Sequence, residues 1–481
     1  MTGRDTMSAA KAGKIIFVTP PYHSGIPEIA GRWLPLGVVY LAGAARGAGV
    51  EAEIYDAMAK GDGYPEIERR LRQSGADYVA TSAMTATIGD ALKTLELAKV
   101  VAPETVTILG GVHPSFMYRE ILESTAAVDY VVVGEGEEPL RRLLLALERG
   151  EDPAGVPGIA FRKGEGIAVT PRPPLIEDLD ALPAAWDLLE WPLYSYFIIP
   201  DSRFAAISTS RGCSHACAFC SQQQFWSNSW RPRDPLKVAG EIAGLHERYG
   251  ADVFLLTDEQ PTRDRARWES LLDALIEKAL PIRLILEARA EDVIRDREIF
   301  WKYKKAGVVH ISIGIESADQ QRLARLGKGM RAEASKEALD ILREHDIVSE
   351  ASFILGFPDE TPASVQATLK RAQDCNPDSA NFFALTPWPY SPIYGELEPL
   401  VREKDYARYN FIEPVLEPEN MSIKEVRGAL NECYRRFYMG KMLEMMTMKD
   451  TFRRGYLVRA TKLIMGSSFV IGKLNPWGSG S

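Results

Sequence analysis

Cysteine is scarce in this 481-residue chain. Its five cysteines are too few for the disulfide framework of a stapled secreted protein. Basic charge is not in excess either: 57 Lys and Arg stand against 66 Asp and Glu, a formal net charge of −9. That balance argues against a nucleic-acid binder, whose footprint is basic. No apolar run reaches membrane-spanning length, and the nearest, Gly455 to Leu474, is broken by Arg459, Lys462 and Lys473. The start, Met1 to Gly13, lacks an apolar core, so neither a secretory signal nor an anchor is expected. With 46% hydrophobic and 26% charged residues, low-complexity and collagen-like chains are excluded. What remains is a globular protein of about three domains, in a reduced and therefore cytoplasmic setting.

The first third alternates strand and helix patterns. Short β-rich runs at Lys14–Thr19, Val50–Tyr55, Asp77–Ser82, Thr105–Leu109 and Asp129–Val133 are separated by helical patterns such as Leu36–Arg46, Tyr64–Arg72 and Ile88–Val101. Such alternation predicts a parallel α/β sheet over residues 14–150, with ligands beyond the carboxyl ends of its strands. A proline-spaced connector is expected over 151–200. A second series then begins, with strands predicted near Phe204, Val253, Ile282, His310, Glu350 and Ala380. It carries no glycine-rich dinucleotide fingerprint, so residues 201–395 read as a partial (β/α)6 barrel with its chemistry on the loops after the strands. Residues 396–475 read as a helical region. Ten Lys/Arg against four Asp/Glu between Lys424 and Lys462 mark it as a solvated face, or as a surface for an anionic substrate or peripheral membrane contact.

Three of the five cysteines fall in one loop after the predicted strand at Phe204: Cys213, Cys217 and Cys220, spaced C-x3-C-x2-C. A structural zinc site needs four ligands, usually as two paired hooks, and no second hook follows. Close thiolate spacing suits a four-iron cluster. Three ligands leave one iron open to a small molecule. Cys375 and Cys433 lie in helical patterns and read as inert apolar residues.

This motif and its companions resemble the radical S-adenosylmethionine superfamily. The resemblance implies a [4Fe-4S] cluster on Cys213, Cys217 and Cys220 and S-adenosylmethionine at its open iron. For that cofactor it implies Phe219 before the third cysteine and Thr257-Asp258-Glu259 after the second strand. Arg289 after the third strand, Glu316-Ser317 after the fourth, and Ile354 with Gly356 after the fifth complete the set. An α/β domain ahead of the barrel resembles the cobalamin-binding subclass. The corrin is then expected against Tyr22, Ser82, Met84, Thr85, Gly110-Gly111-Val112-His113 and Gly134-Glu135-Gly136. The chain lacks the D-x-H-x-x-G motif that supplies a histidine beneath the cobalt, so no protein imidazole is expected there.

Several stretches resemble the anaerobic oxidative cyclases that close the isocyclic ring of bacteriochlorophyll on a magnesium porphyrin ester. They include Pro21-Tyr22-His23-Ser24-Gly25, Cys220-Ser221-Gln222, Thr386-Pro387-Trp388-Pro389 and Tyr434-Arg435-Arg436-Phe437, and the likeness runs from Lys14 to Met465. The resemblance implies a magnesium tetrapyrrole substrate, a keto oxygen taken from water, and an external electron carrier such as a ferredoxin or flavodoxin. A tetrapyrrole needs aromatic walls and a cationic contact. Trp226, Trp230, Phe382, Phe383, Trp388, Tyr390, Tyr409 and Phe411 are candidate walls; Arg231, Arg233, Arg435 and Arg436 are candidate carboxylate partners. His23 is a candidate catalytic residue facing cobalt, substrate or water. A cobalamin-dependent radical methyltransferase is the alternative reading, and a non-catalytic sensor a more distant one.

Overall fold

The computed structural model describes residues 12–21 and 31–466, apart from the side chains of Leu443 and Met465. Tyr22 and His23 lie outside the described residues. The chain divides into two compact units. The first takes Met1–Tyr22, Pro35–Ile176 and Ala181–Leu189; the second takes His23–Leu34, Glu177–Asp180 and Glu190–Ser481. The stretch expected to be a connector therefore belongs mostly to the first unit, because its strands have an edge to join there.

In the first unit, β1 (Lys14–Thr19), β2 (Glu51–Asp56), β3 (Tyr78–Ser82), β4 (Val106–Gly110) and β5 (Tyr130–Val132) run parallel in the order β2-β1-β3-β4-β5. All of β1 except Lys14 is buried, as a strand covered on both faces must be. The hairpin β6 (Ile159–Lys163) and β7 (Gly166–Val169) adds two antiparallel strands beside β5. Strand order reverses between β1 and β3. That reversal opens a crevice at the carboxyl edge, where doubly wound sheets bind ligands. Helices Val112–Ser124 and Glu137–Glu148 complete the cover. The first carries His113-Pro114 in its opening turn and bends at Met117 (φ −107°).

The second unit carries β8 (Phe204–Ile207), β9 (Val253–Leu256), β10 (Arg283–Glu287), β11 (Val308–Glu316), β12 (Val348–Leu355) and β13 (Ser379–Ala384), all parallel and in chain order. Parallel strands paired with their chain neighbours and joined through helices give the strand order of a partial barrel. The helices start where their caps dictate. Asp234 accepts from Leu236 N at 2.8 Å ahead of Pro235–Tyr249, and Thr361 caps Pro362–Cys375. The region after 396 is less helical than expected. Short turns precede Ser422, and two helices follow, Ile423–Thr447 and Thr451–Gly466.

These last helices finish the barrel. Tyr434 Oη accepts from Phe382 N at 3.1 Å, and Tyr438 Oη from Ala380 N at 3.3 Å, so hydroxyls satisfy the backbone of edge strand β13. At the amino-terminal end of the strands, Arg453 donates to both oxygens of Asp378 at 2.8 and 2.6 Å. Tyr456 lies beside it, within 2.8 Å of His310 Nδ1. No helix among the described residues is long and apolar enough to cross a membrane.

Candidate functional site

In the first unit the expected corrin-facing loops sit together at the carboxyl edge of the sheet. Ser82 ends β3, Gly110 ends β4, and Gly134-Glu135-Gly136 follows β5. Ala83 N donates to Gly110 O at 2.9 Å. Gly111 (φ +105°) lies so close to this loop that a Cβ would stand 2.4 Å from Ala83 O, so only glycine fits. Met84 is 63% exposed at the crevice between β1 and β3, an apolar side chain awaiting a flat apolar cover. That feature fits a corrin.

Other expected contacts are turned inward. Thr85 and His113 are buried and meet each other, with His113 Nδ1 3.1 Å from Thr85 Oγ1. Glu135 is also buried and accepts from Ile176 N at 2.8 Å. These three support the rim; they do not line it. Val112 opens the helix at the same edge. His113 thus presents no exposed imidazole to cobalt.

Burial pushes the His113 imidazole down to about 4, so it is neutral at pH 7. The unfolded chain, with a His pKa of about 6.5, binds the extra proton first. Stability of this unit should therefore fall as pH drops from about 6.5 towards 4, and His113→Gln should flatten that part of the melting-temperature profile.

In the second unit the cysteine loop is built by the strand ends around it. Asp258, after β9, is buried and accepts from Thr209 N (2.8 Å), Thr209 Oγ1 (2.8 Å) and Ser210 Oγ (2.5 Å). It holds the base of the loop and, contrary to the sequence expectation, is not turned towards a ligand. Glu259 accepts from Gly212 N at 3.1 Å and Trp226 Nε1 at 2.8 Å, and burial raises its carboxyl above the usual range. Thr257 is exposed beside them. Ala218 N donates to Leu326 O at 2.8 Å, and a Cβ on Gly327 (φ +66°) would reach 2.7 Å from Ala216 O.

All three cysteines are half-buried and free. Burial raises the Cys217 thiol, opposed by Lys328 and Arg289; burial likewise lifts Cys220 to about 11. Among the described residues no three His, Cys, Asp or Glu side chains converge as ligands of a single ion. A four-iron cluster does not ask for such convergence, because each thiolate takes its own iron. Three thiolates on one clamped loop, with cations beside them, fit that donor set.

Around the loop, Arg289 Nη2 donates to Lys328 O at 2.7 Å, and Lys328 Nζ pairs with Glu316 Oε1 at 2.7 Å. Glu316 holds a left-handed conformation at φ +65°. A cavity of about 440 Å³ opens here, lined by His215, Trp230, Gln260, Arg263, Arg289 and Glu291 among others. Its mixed charges and indole wall fit a zwitterion bearing an aromatic base. Phe219 packs against an apolar cluster that contains Ile354, Phe357 and Leu385. Gly356 (φ +88°) donates its N–H to Glu360 Oε2 at 2.9 Å. Ser317 is buried, its Oγ accepting from Asp319 N, and serves the turn. Gly327, Lys328 and Glu360 were missed by sequence reasoning. Only the glycine-rich Gly327-Lys328-Gly329 offered a signal.

The aromatic and cationic candidates separate into groups. Phe383, Trp388 and Phe411 form one patch, with ring centroids 5.6 and 5.2 Å apart. Trp226 carries the Arg231 guanidinium 5.5 Å from its ring centre, and Trp230 lines the cavity. Phe382 and Tyr409 are core residues. Arg233 is held by Asp180 and Glu241 at 2.8 and 2.7 Å. Arg435 is a correction: it lies on the solvent side of helix Ile423–Thr447, paired with Glu432 at 2.7 Å, while Arg436 reaches Gln366. Much of the basic excess there lies on a solvated face, while Lys441 and Arg453 are buried.

Two family descriptions match the chain: a B12 binding domain over residues 23–144 and the radical SAM superfamily over residues 207–372. The anaerobic magnesium-protoporphyrin IX monomethyl ester cyclase of Cereibacter sphaeroides is 39% identical over 97% of this chain and 78% of its own length. The chain belongs to the anaerobic magnesium-protoporphyrin IX monomethyl ester cyclase family. The family member from Rubrivivax gelatinosus is 37% identical over 97% of this chain and 85% of its length. Among solved structures, the radical S-adenosylmethionine methyltransferase TsrM from Kitasatospora setae, with cobalamin and a [4Fe-4S] cluster bound, is 16% identical. It aligns with a TM-score of 0.72 over 94% of this chain and 99% of its own. That likeness shows a shared fold.

Proposed function

We propose that the chain catalyses the anaerobic oxidative cyclisation of magnesium-protoporphyrin IX monomethyl ester, forming the isocyclic ring with a keto oxygen from water. The observation that carries this reading is the colinear match to cyclases across both units and the C-terminal helices, with the cysteine loop intact. When bound, the cofactors supply hydrogen-atom abstraction by a 5′-deoxyadenosyl radical and one-electron exchange at cobalt. The chain's part is positional. Cys213, Cys217 and Cys220 hold the cluster; Arg289, Glu316 and Lys328 set the charge beside it. The Phe383–Trp388–Phe411 patch offers an apolar wall to the macrocycle, and Arg231 on Trp226 a cationic contact for its acidic edge. An external carrier such as a ferredoxin or flavodoxin supplies electrons.

Anaerobic incubation of the reconstituted protein with the magnesium porphyrin ester, methyl-labelled S-adenosylmethionine and oxygen-18 water tests the proposal. The expected result is 5′-deoxyadenosine together with a product carrying oxygen-18 and no methyl label. Transfer of the label without oxygen would instead establish a methyltransferase, the activity of the similarly folded TsrM.

A further inference from the structure

The interior of the partial barrel carries a polar layer that none of the functions above uses. Glu287, Ser312 and Glu350 occupy matching registers on the adjacent strands β10, β11 and β12. At about 4.8 Å per strand the two carboxylates start roughly 10 Å apart, on either side of the serine. Ser312 Oγ donates to Glu350 Oε1 at 3.1 Å. Two residues earlier on β11, His310 is 6% exposed, and its Nδ1 lies 2.8 Å from Tyr456 Oη. His310 Nε2 has no hydrogen-bond partner and lies 3.9 Å from Glu350 Oε2. Tyr456 in turn shares a hydrogen bond with the buried Tyr196. These groups form a row from the middle of the barrel towards its amino-terminal end, interrupted at the 3.9 Å step between His310 Nε2 and Glu350 Oε2.

Glu287 stands at the head of this run, two residues before Arg289. Its side chain is exposed on the sheet face, with the charged groups of Glu350, Lys328, Glu316 and Glu259 around it. Burial first, and repulsion from Glu350 second, push its carboxyl up to about 7; Lys328 opposes them, while Glu316 and Glu259 add to the rise. A carboxyl poised there gives up and takes back a proton near neutrality. An unpaired buried imidazole nitrogen facing a carboxylate is costly where structure alone is served.

We propose that Glu287 is the base that accepts the proton lost when water adds to the substrate side chain, and that Glu350, held by Ser312 in the same layer, acts as its positioning partner. The proposal rests on the cyclase reading. With the cofactors bound, the side-chain carbon would by then have given up one hydrogen atom and one electron, the latter to a one-electron acceptor of the corrinoid class. A lone pair of the water oxygen forms the new C–O bond, one O–H bond breaks, and its proton goes to a Glu287 carboxylate oxygen. No electron passes through the carboxylate.

Two readouts on the full chain test this. Infrared difference spectra of the protein without substrate, taken between pH 6 and pH 8, should show a protonated-carboxyl band that Glu287→Gln removes. In turnover with the magnesium porphyrin ester, Glu287→Gln should still form 5′-deoxyadenosine in its first turnover. Its oxygen-18 product should fall about 10²- to 10⁴-fold, the range for losing a general base, and Glu287→Asp should recover part of it. Should the glutamine variant fail to fold, Glu287→Asp should shift the carboxyl band and lower the oxygen-18 product while keeping first-turnover 5′-deoxyadenosine. A wild type without the titrating band, or a glutamine variant as active as wild type, overturns the assignment alone. A wild type that yields no oxygenated product overturns the cyclase reading and the base with it.

Discussion

Replacing Cys217 with alanine is expected to abolish 5′-deoxyadenosine formation and the visible absorbance of the reconstituted cluster. The loss should exceed the roughly 100-fold that follows when only an outer partner of a metal site is disturbed. The chain has no spare ligand to offer. Cys375 and Cys433 are fully buried in helices, and burial pushes the Cys433 thiol up to about 12. Cys433→Ala and Cys375→Ala should therefore keep both cluster and product, which makes them the matched controls. Iron and sulfide content, absorbance and 5′-deoxyadenosine yield check the set together. A Cys217→Ala protein that still cleaves S-adenosylmethionine would refute the three-thiolate site.

The second large effect is on stability. Arg453→Met removes one partner of a buried pair whose other member, Asp378, is 1% exposed and also accepts from Ser349 N at 3.0 Å. Burial works against the Arg453 guanidinium, but its bonds to Asp378 outweigh that and hold its pKa above the ordinary value. Stranding the carboxylate should cost about 3–5 kcal/mol in denaturant unfolding of the second unit. Replacing both partners, Arg453→Met with Asp378→Leu, should recover much of that loss, because an apolar pair leaves no charge behind. Limited proteolysis gives an independent check: in the single variant the turn around Met448–Asp450 should be cut earlier.

Much of this architecture was legible in the sequence, because strands covered on both faces read as short apolar runs between helical periods. β1 and the helix Ile88–Val101 lie where patterning puts them. The cysteine loop was legible because its chemistry is local, three thiolates within eight positions. Asp258 and Arg435 show where reading stops. A carboxylate after a strand looks the same whether it meets a ligand or the backbone of Thr209, and a count of arginines does not say which face of a helix they occupy. Gly327 and Glu360 were invisible for another reason: they act on parts of the mouth that only folding brings near. Glu287, Ser312 and Glu350 left a fainter mark, as a few among several polar residues in largely apolar strands, a pattern that becomes a layer only once the register is known.

The tyrosines of the last helices carry a consequence for how the protein is made. Strand β13 has no partner strand on its outer side, and the hydroxyls of Tyr434 and Tyr438 stand in for one, while Tyr456 stops the far end. While the ribosome is still short of these codons, the nascent barrel has a bare edge and an open floor, the condition in which chains pair wrongly with one another. Closure of the barrel edge and floor then waits until translation has passed Tyr456.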